Sequence, residues 1–169
     1  GILISLTVIY AEQSFDDEPG GYLAVWGFIE AAIGLGNLVG GFAIGLIGAR
    51  LAKGRMVIFG YAFWGLMVFL FAMTDHVWLA VGLSFGQGVS NMVFVIPSQT
   101  LFQQRTPAAL MGRVVGFRFS LVFGSMAIAM AVGGLMTLVL PVPTIIATFG
   151  LLTMFAGLAG LLVPAVRDA

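Results

Sequence analysis

Long stretches without a charged residue alternate with short polar punctuation along this chain. The uncharged runs are residues 1–11, 19–29, 31–49, 56–74, 76–104 and 119–166. A hydrocarbon core of about 30 Å takes about 20 helical residues to cross. The first run reaches only about 16 Å at ~1.5 Å per residue, half a crossing. Only Glu30 separates the second run from the third, so the two read as one span. The last run would extend about 72 Å as a single helix. It must turn back, and Pro141-Val142-Pro143 is the break. The pattern predicts a partial span at 1–11 and full spans at 21–48, 56–74, 77–102, 112–140 and 143–165.

Periodicity alone does not separate a buried helix from a buried strand, but length does. These runs are far longer than strands, and only helices or closed barrels satisfy their backbone in lipid. Barrel strands alternate polar and apolar over about ten residues, and these runs do not. The expected fold is therefore an all-α polytopic membrane protein.

Composition strengthens that reading. Hydrophobic residues make up 60% of the chain and charged residues 8%, against about 45–50% and about 25% in soluble domains. A soluble fold could not cover so much apolar surface with so few charges. The 24 glycines suit helices that pack closely in lipid. Net charge is zero, so nothing pulls the chain toward nucleic acid. Cysteine is absent, which excludes disulfides and thiolate metal sites. The opening Gly1-Ile-Leu-Ile4 has no basic flank and no cleavage site, and reads as a chain cut inside an apolar span rather than a signal peptide.

The charges that remain are sorted by loop. Arg50, Lys53, Arg55, Arg105, Arg113, Arg118 and Arg167 fall at the 49–55 loop, the 103–118 connection and the C-terminus. On the predicted threading these all lie on one side of the membrane. Glu12, Asp16, Asp17, Glu18 and Asp75 fall in the other loops. Lys and Arg mark the cytoplasmic face, so the C-terminus is expected to be cytoplasmic. Asp17-Glu-Pro-Gly-Gly21 reads as an outer turn, and Thr106-Pro107 as an N-cap followed by proline at the first helical position. Tyr22, Trp26 and Trp78 lie near outer span ends, as interfacial aromatics do. Six spans divide into two triplets of opposite topology, the arrangement of inverted repeats in secondary transporters; any six spans in series divide the same way.

Few residues can carry chemistry. Glu30 lies inside a span, and at about 100° per residue it shares a face with Trp26, Asn37, Gly41 and Gly48. A carboxylate there belongs to the bundle interior or a wet cavity. Two readings stand: a proton-coupling or cation-binding group, or a glutamate that stays hydrated near the outer surface or bonds a neighbouring helix. Ser84, Gln87, Asn91 and Ser98 form a second polar stripe, on the fourth span. It lines a substrate path or bonds adjacent helices. Pro97 lacks a backbone donor and bends this helix, as a gate or as a static kink. Gly36/Gly40, Gly41/Gly45 and Gly112/Gly116 read as small-residue packing pairs. The long stem of Arg118 lets it snorkel to the cytoplasmic interface; a role toward an anionic substrate is the alternative. His76 beside Asp75 has no companions for a metal. No nucleophile–base arrangement stands out, so no enzyme, metal or cofactor is expected.

Two motifs resemble a known family. Gly45 to Arg55, GLIGARLAKGR, resembles the loop between the second and third helices of each half in the major facilitator superfamily. Gly45 and Arg50 match, and Lys53, Gly54 and Arg55 supply the basic end; Ala49 replaces the motif's Asp, so that residue's charge-relay role is not carried over. Gly86 to Val114 is similar to the tenth helix and following loop of bacterial exporters of the enterobactin-exporter kind. Gly86, Gly88, Asn91, Thr100, Leu101, Gln103, Pro107, Leu110, Gly112, Arg113 and Val114 follow that pattern. Ala108 and Ala109 stand where an acidic pair is usual, and Met111 where Arg is common.

The resemblance covers nearly the whole chain. It implies helices seven to twelve of a twelve-helix transporter, the C-terminal six-helix half, with its first helix truncated and the N-terminal half absent. It further implies residence in the bacterial inner membrane, and two halves rocking about a central site, commonly driven by protons. The expected function is a proton-driven exporter of small organic molecules, partnered by lipid and by the N-terminal half. Glu30, Asn37, Gln87, Asn91 and Ser98 are the candidates for the cavity. Pro97, Arg105, Pro107, Gly112 and Arg113 are the candidates for the inner gate and loop. An importer or uniporter of the same fold, a channel, and a non-transporting receptor or scaffold are the alternatives.

Overall fold

Each long apolar run folds as a helix in the computed structural model, which describes residues 2–15, 17, 20–48 and 52–162. The order is α1 (Ile2–Phe15), α2 (Gly21–Ile47), α3 (Lys53–Phe71), α4 (Val77–Arg105), α5 (Met111–Met136) and α6 (Val142–Ala159). Short 3₁₀ turns lie at Ala108–Leu110 and Gly160–Leu162. The described residues form no strand. Five segments, Gly21–Ile47, Lys53–Phe71, Val77–Gln104, Met111–Met136 and Val142–Leu162, are long and apolar enough to cross a membrane. That is compatible with a multi-pass membrane protein.

Alternating helix directions give the bundle two ends. The acidic end carries Asp17 and Asp75; the basic end carries Lys53, Arg55 and Arg113. Gly20, with φ of 95°, turns the chain into α2, a backbone conformation that costs a side chain about 1–2 kcal/mol. Three predicted boundaries shift. Lys53, Gly54 and Arg55 form the first turn of α3 rather than a loop. Thr106 caps the C-terminus of α4 instead of starting α5, and its hydroxyl bonds back to the Phe102 carbonyl at 2.8 Å. Pro107 is followed by a 3₁₀ turn, and α5 begins only at Met111. At the proline break α5 ends at Met136, and α6 carries Pro143 in its first turn, where a missing N–H costs nothing.

The main hydrophobic cluster sits at the acidic end. Leu6, Tyr10 and Phe15 of α1 pack there with Val25 and Ile29 of α2, Val68 and Phe71 of α3, and Ile145 and Ile146 of α6. Tyr10 is the largest fully buried side chain among the described residues. Its hydroxyl donates to the carbonyls of Phe71, at 3.2 Å, and of Thr74. Those carbonyls lie at and just past the end of α3, where carbonyls lose their intrahelical partners; that of Phe71 also accepts from the Thr74 N–H at 3.4 Å.

Around the middle of the bundle, contact is backbone to backbone. A Cβ on Gly36 would overlap the Phe85 carbonyl oxygen, and one on Gly88 would overlap that of Ile33. These glycines let α2 and α4 run side by side. Gly65 and Gly150 do the same for α3 and α6. The other expected small-residue pairs do not pack: a Cβ on Gly41, Gly45, Gly112 or Gly116 would meet nothing within 4 Å. Gly133 is the one buried residue of α5 among the described residues. This helix joins the cluster through Ala129 and Met136 at the acidic end.

Candidate functional site

The close approach of α2 and α4 delivers two polar side chains to one point. Gly36 and Gly88 remove the Cβ atoms that would hold the helices apart, and the neighbouring Asn37 meets Asn91. The Asn91 Nδ2 donates to Asn37 Oδ1 at 3.1 Å. Both residues are half-buried. Asn91 lies 14 residues from either end of α4, about 21 Å each way, so the pair sits at mid-depth. One hydrogen bond leaves the Asn37 amide donors and the Asn91 carbonyl oxygen with capacity to spare. Such a pair can hydrogen-bond an uncharged or cationic ligand.

Glu30 lies on the same face of α2 as Asn37, two turns toward the acidic end. It is exposed, and its carboxylate has no partner among the described residues. The reading of Glu30 as a carboxylate bonded to a neighbouring helix therefore fails among those residues. Hydration and a role toward a ligand both remain open.

Gln87 takes a different position from Asn91. It lines a narrow cavity of about 10 Å³ inside the bundle with Thr7, Ile29, Ile33 and Ser84, about the volume of one water-sized sphere. Ser84 bonds within its own helix, to the Ala80 carbonyl at 2.8 Å. Ser98 is half-buried, two turns beyond Asn91.

The motif residues gather at the basic end. Gly45 is exposed on α2, and Arg50 lies outside the described residues. The Lys53 Nζ donates to Gln104 Oε1 at 3.0 Å and ties the start of α3 to the end of α4. Gly54 is buried and Arg55 exposed. Pro97 is buried and α4 continues through it. It borders a cavity of about 210 Å³ with Ile44, Gly48, Lys53, Met56 and Thr100. Arg105 ends α4, and its side chain lies outside the described residues. Pro107, Gly112 and Arg113 are exposed around the start of α5.

Arg118 contacts the neighbouring helix. It is half-buried, donates from Nη1 to Gln99 Oε1, and lies over the Phe102 ring at 4.8 Å from its centroid. Both partners lie in the last two turns of α4, at the basic end. Gln99 and Phe102 do not stand out in the sequence, because neither belongs to an obvious polar stripe. The clue lies in three and four residue spacings: Gln99 and Phe102 share one flank of α4. A groove of about 550 Å³ between α3, α4 and α6 is lined by Phe59, Phe63, Leu66, Val93, Met154 and others. Its one polar residue, Ser90, already donates to the Gly86 carbonyl at 2.6 Å. That groove offers nothing to orient a polar ligand. Among the described residues no cluster of His, Cys, Asp and Glu can hold a metal.

The chain matches no protein-family model, no curated protein and no solved structure.

Proposed function

We propose that the chain is the C-terminal half of a secondary transporter of the major facilitator kind, exporting small organic molecules against proton entry across a bacterial inner membrane. The observation that carries this reading is the pattern of helix pairs. Besides neighbours in sequence, α2 packs on α4, α3 on α6, and α1 on both α5 and α6. Exchange the first three helices with the last three. The α2–α4 pair becomes α5–α1, α3–α4 becomes α6–α1, and α3–α6 returns to itself. An arbitrary six-helix bundle has no reason to obey that exchange; two inverted triplets do. The exchange holds in which helices meet rather than in how much: α1–α5 and α1–α6 are much thinner contacts than α2–α4 and α3–α4, and α1–α2 has no extensive α4–α5 counterpart, which leaves α5 the loosest helix.

The polar groups suit the same reading. Substrate and ion sites of such transporters lie near mid-depth at the junction of repeats. The Asn37–Asn91 bond is at mid-depth and joins the two triplets. Glu30 stands free beside it on the way to the acidic end. A protonatable carboxylate in that position couples proton movement to the exposure of the amide pair. The exposed apolar faces of α2 and α5, including Leu38, Phe42, Phe117 and Phe123, are left for lipid and for the N-terminal half. The basic end is the cytoplasmic one.

The test is transport by the full-length protein in reconstituted vesicles under an imposed pH gradient. Glu30→Gln is expected to abolish proton-driven movement while the protein stays folded. Unchanged coupling in that variant would remove Glu30 from the mechanism, and flux without saturation would replace the transporter by a channel.

A further inference from the structure

Arg118 is a half-buried cation two turns into α5, with neutral partners. It lies seven residues into α5, about 10 Å from the start of that helix. Its partner Gln99 lies six residues, about 9 Å, from the end of α4. A charged group at such depth in a membrane helix is costly unless something compensates it. Among the described residues no acid is near. Asp75 precedes α4 and is 24 residues from Gln99, about 36 Å along the helix. Glu30 is seven residues above Asn37, and Asn91 eight above Gln99, which places the carboxylate about 22 Å away. Of the remaining acids, Glu12 and Asp17 are at the acidic end, and Asp16, Glu18 and Asp168 lie outside the described residues.

The geometry also limits how the charge can be used. Phe102 covers one face of the guanidinium. Gln99 takes a hydrogen from Nη1. The opposite edge, Nε and Nη2, retains the parallel N–H groups that fit two oxygens of one oxyanion. No nitrogen of Arg118 is a buried orphan, so that edge is reachable. On the same face of α5, one and two turns further in, Val122 and Ser125 are exposed, so no side chain of the described residues closes that flank, which faces lipid or the N-terminal half.

We propose that Arg118, clamped by Gln99 and Phe102 between α4 and α5, is the seat of a phosphate-type oxyanion at the basic end of the bundle. The site requires that the bundle lie in a bilayer; it does not require that the chain transport. The oxyanion is either the headgroup of an anionic lipid, which basic pockets between membrane helices bind, or a soluble phosphate, whose oxygens fit the same arginine fork. Gln99 and Phe102 are positioning residues, which hold the guanidinium plane so that its free edge faces the cleft.

The experiment is thermal unfolding of the full-length protein in nanodiscs of pure phosphatidylcholine, of phosphatidylcholine with phosphatidylglycerol, and of pure phosphatidylcholine titrated with inorganic phosphate. A lipid site raises the melting temperature in the phosphatidylglycerol discs. A soluble-phosphate site gives a saturable rise with phosphate alone. Either response is expected to vanish in Arg118→Gln. In Arg118→Lys it should weaken roughly tenfold in apparent affinity, as for loss of one charge-assisted hydrogen bond. If Arg118→Gln does not fold, Gln99→Leu serves in its place: it keeps the charge, frees the fork, and is expected to weaken the response by several-fold. The proposal is overturned if no anion raises the melting temperature, or if the rise is the same in the parent, Arg118→Gln and Arg118→Lys proteins. Where only Gln99→Leu can be made, a response equal to the parent's overturns it.

Discussion

Asn37 and Asn91 lie 54 residues apart in the chain, and only the helix contact brings them together. Each was legible in the sequence as a polar residue in an apolar span; their bond to each other was not. A double-mutant cycle with Asn37→Leu and Asn91→Leu should give a coupling of about 0.6–2 kcal/mol, the range for hydrogen bonds between membrane helices. A coupling indistinguishable from zero in detergent unfolding would separate the two amides. Tyr10 was harder to foresee. Its acceptors are the Phe71 and Thr74 carbonyls, 61 and 64 residues away, and they are open to it only because α3 ends there. Tyr10→Phe keeps the ring in the core and removes only the hydroxyl. It is expected to lower stability by about 1 kcal/mol, read as a lower midpoint in the same unfolding assay.

At the scale of the helix, length and hydropathy located every element, because lipid-crossing segments must satisfy their backbone internally. Boundaries followed local chemistry that hydropathy does not register. Lys53 and Arg55 lie in the first turn of α3 against the helix dipole, which favours anions there, and Lys53 gains a partner in Gln104. Thr106 resembles an N-cap in sequence, yet its hydroxyl is spent on the Phe102 carbonyl of the preceding helix. Glycine pairs were legible as a class and not one by one, because spacing does not reveal which helix face meets a neighbour. Gly88→Ala drives a methyl into the Ile33 carbonyl oxygen and places it 2.8 Å from the Asn37 nitrogen. It should cost roughly 1–3 kcal/mol, as overpacking does, and weaken the Asn37–Asn91 bond. Gly41→Ala and Gly112→Ala meet open space and should leave the stability within about 0.5 kcal/mol or raise it, since alanine is the better helix former. Equal losses at Gly88 and Gly41 would contradict the assignment of packing faces.

For the whole molecule, the sequence carried the number of long apolar helices and the sorting of charge along the chain, and the structure adds which helices pair. Pairing depends on surfaces remote in the chain, so neither hydropathy nor charge encodes it directly. The exchange of triplets, the mid-depth amides and the free Glu30 all presume one threading, with α2, α4 and α6 descending toward the basic side. The chain has no cysteine, so a single introduced cysteine is a unique label within it. The decisive measurement is the labelling of intact cells with a membrane-impermeant maleimide, using Asp17→Cys, Asp75→Cys, Arg55→Cys and Arg113→Cys one at a time. Asp17→Cys and Asp75→Cys should react from outside, while Arg55→Cys and Arg113→Cys should react only after permeabilisation. Outside labelling of Arg55→Cys or Arg113→Cys, with Asp17→Cys and Asp75→Cys protected, would contradict the threading and the transporter built on it.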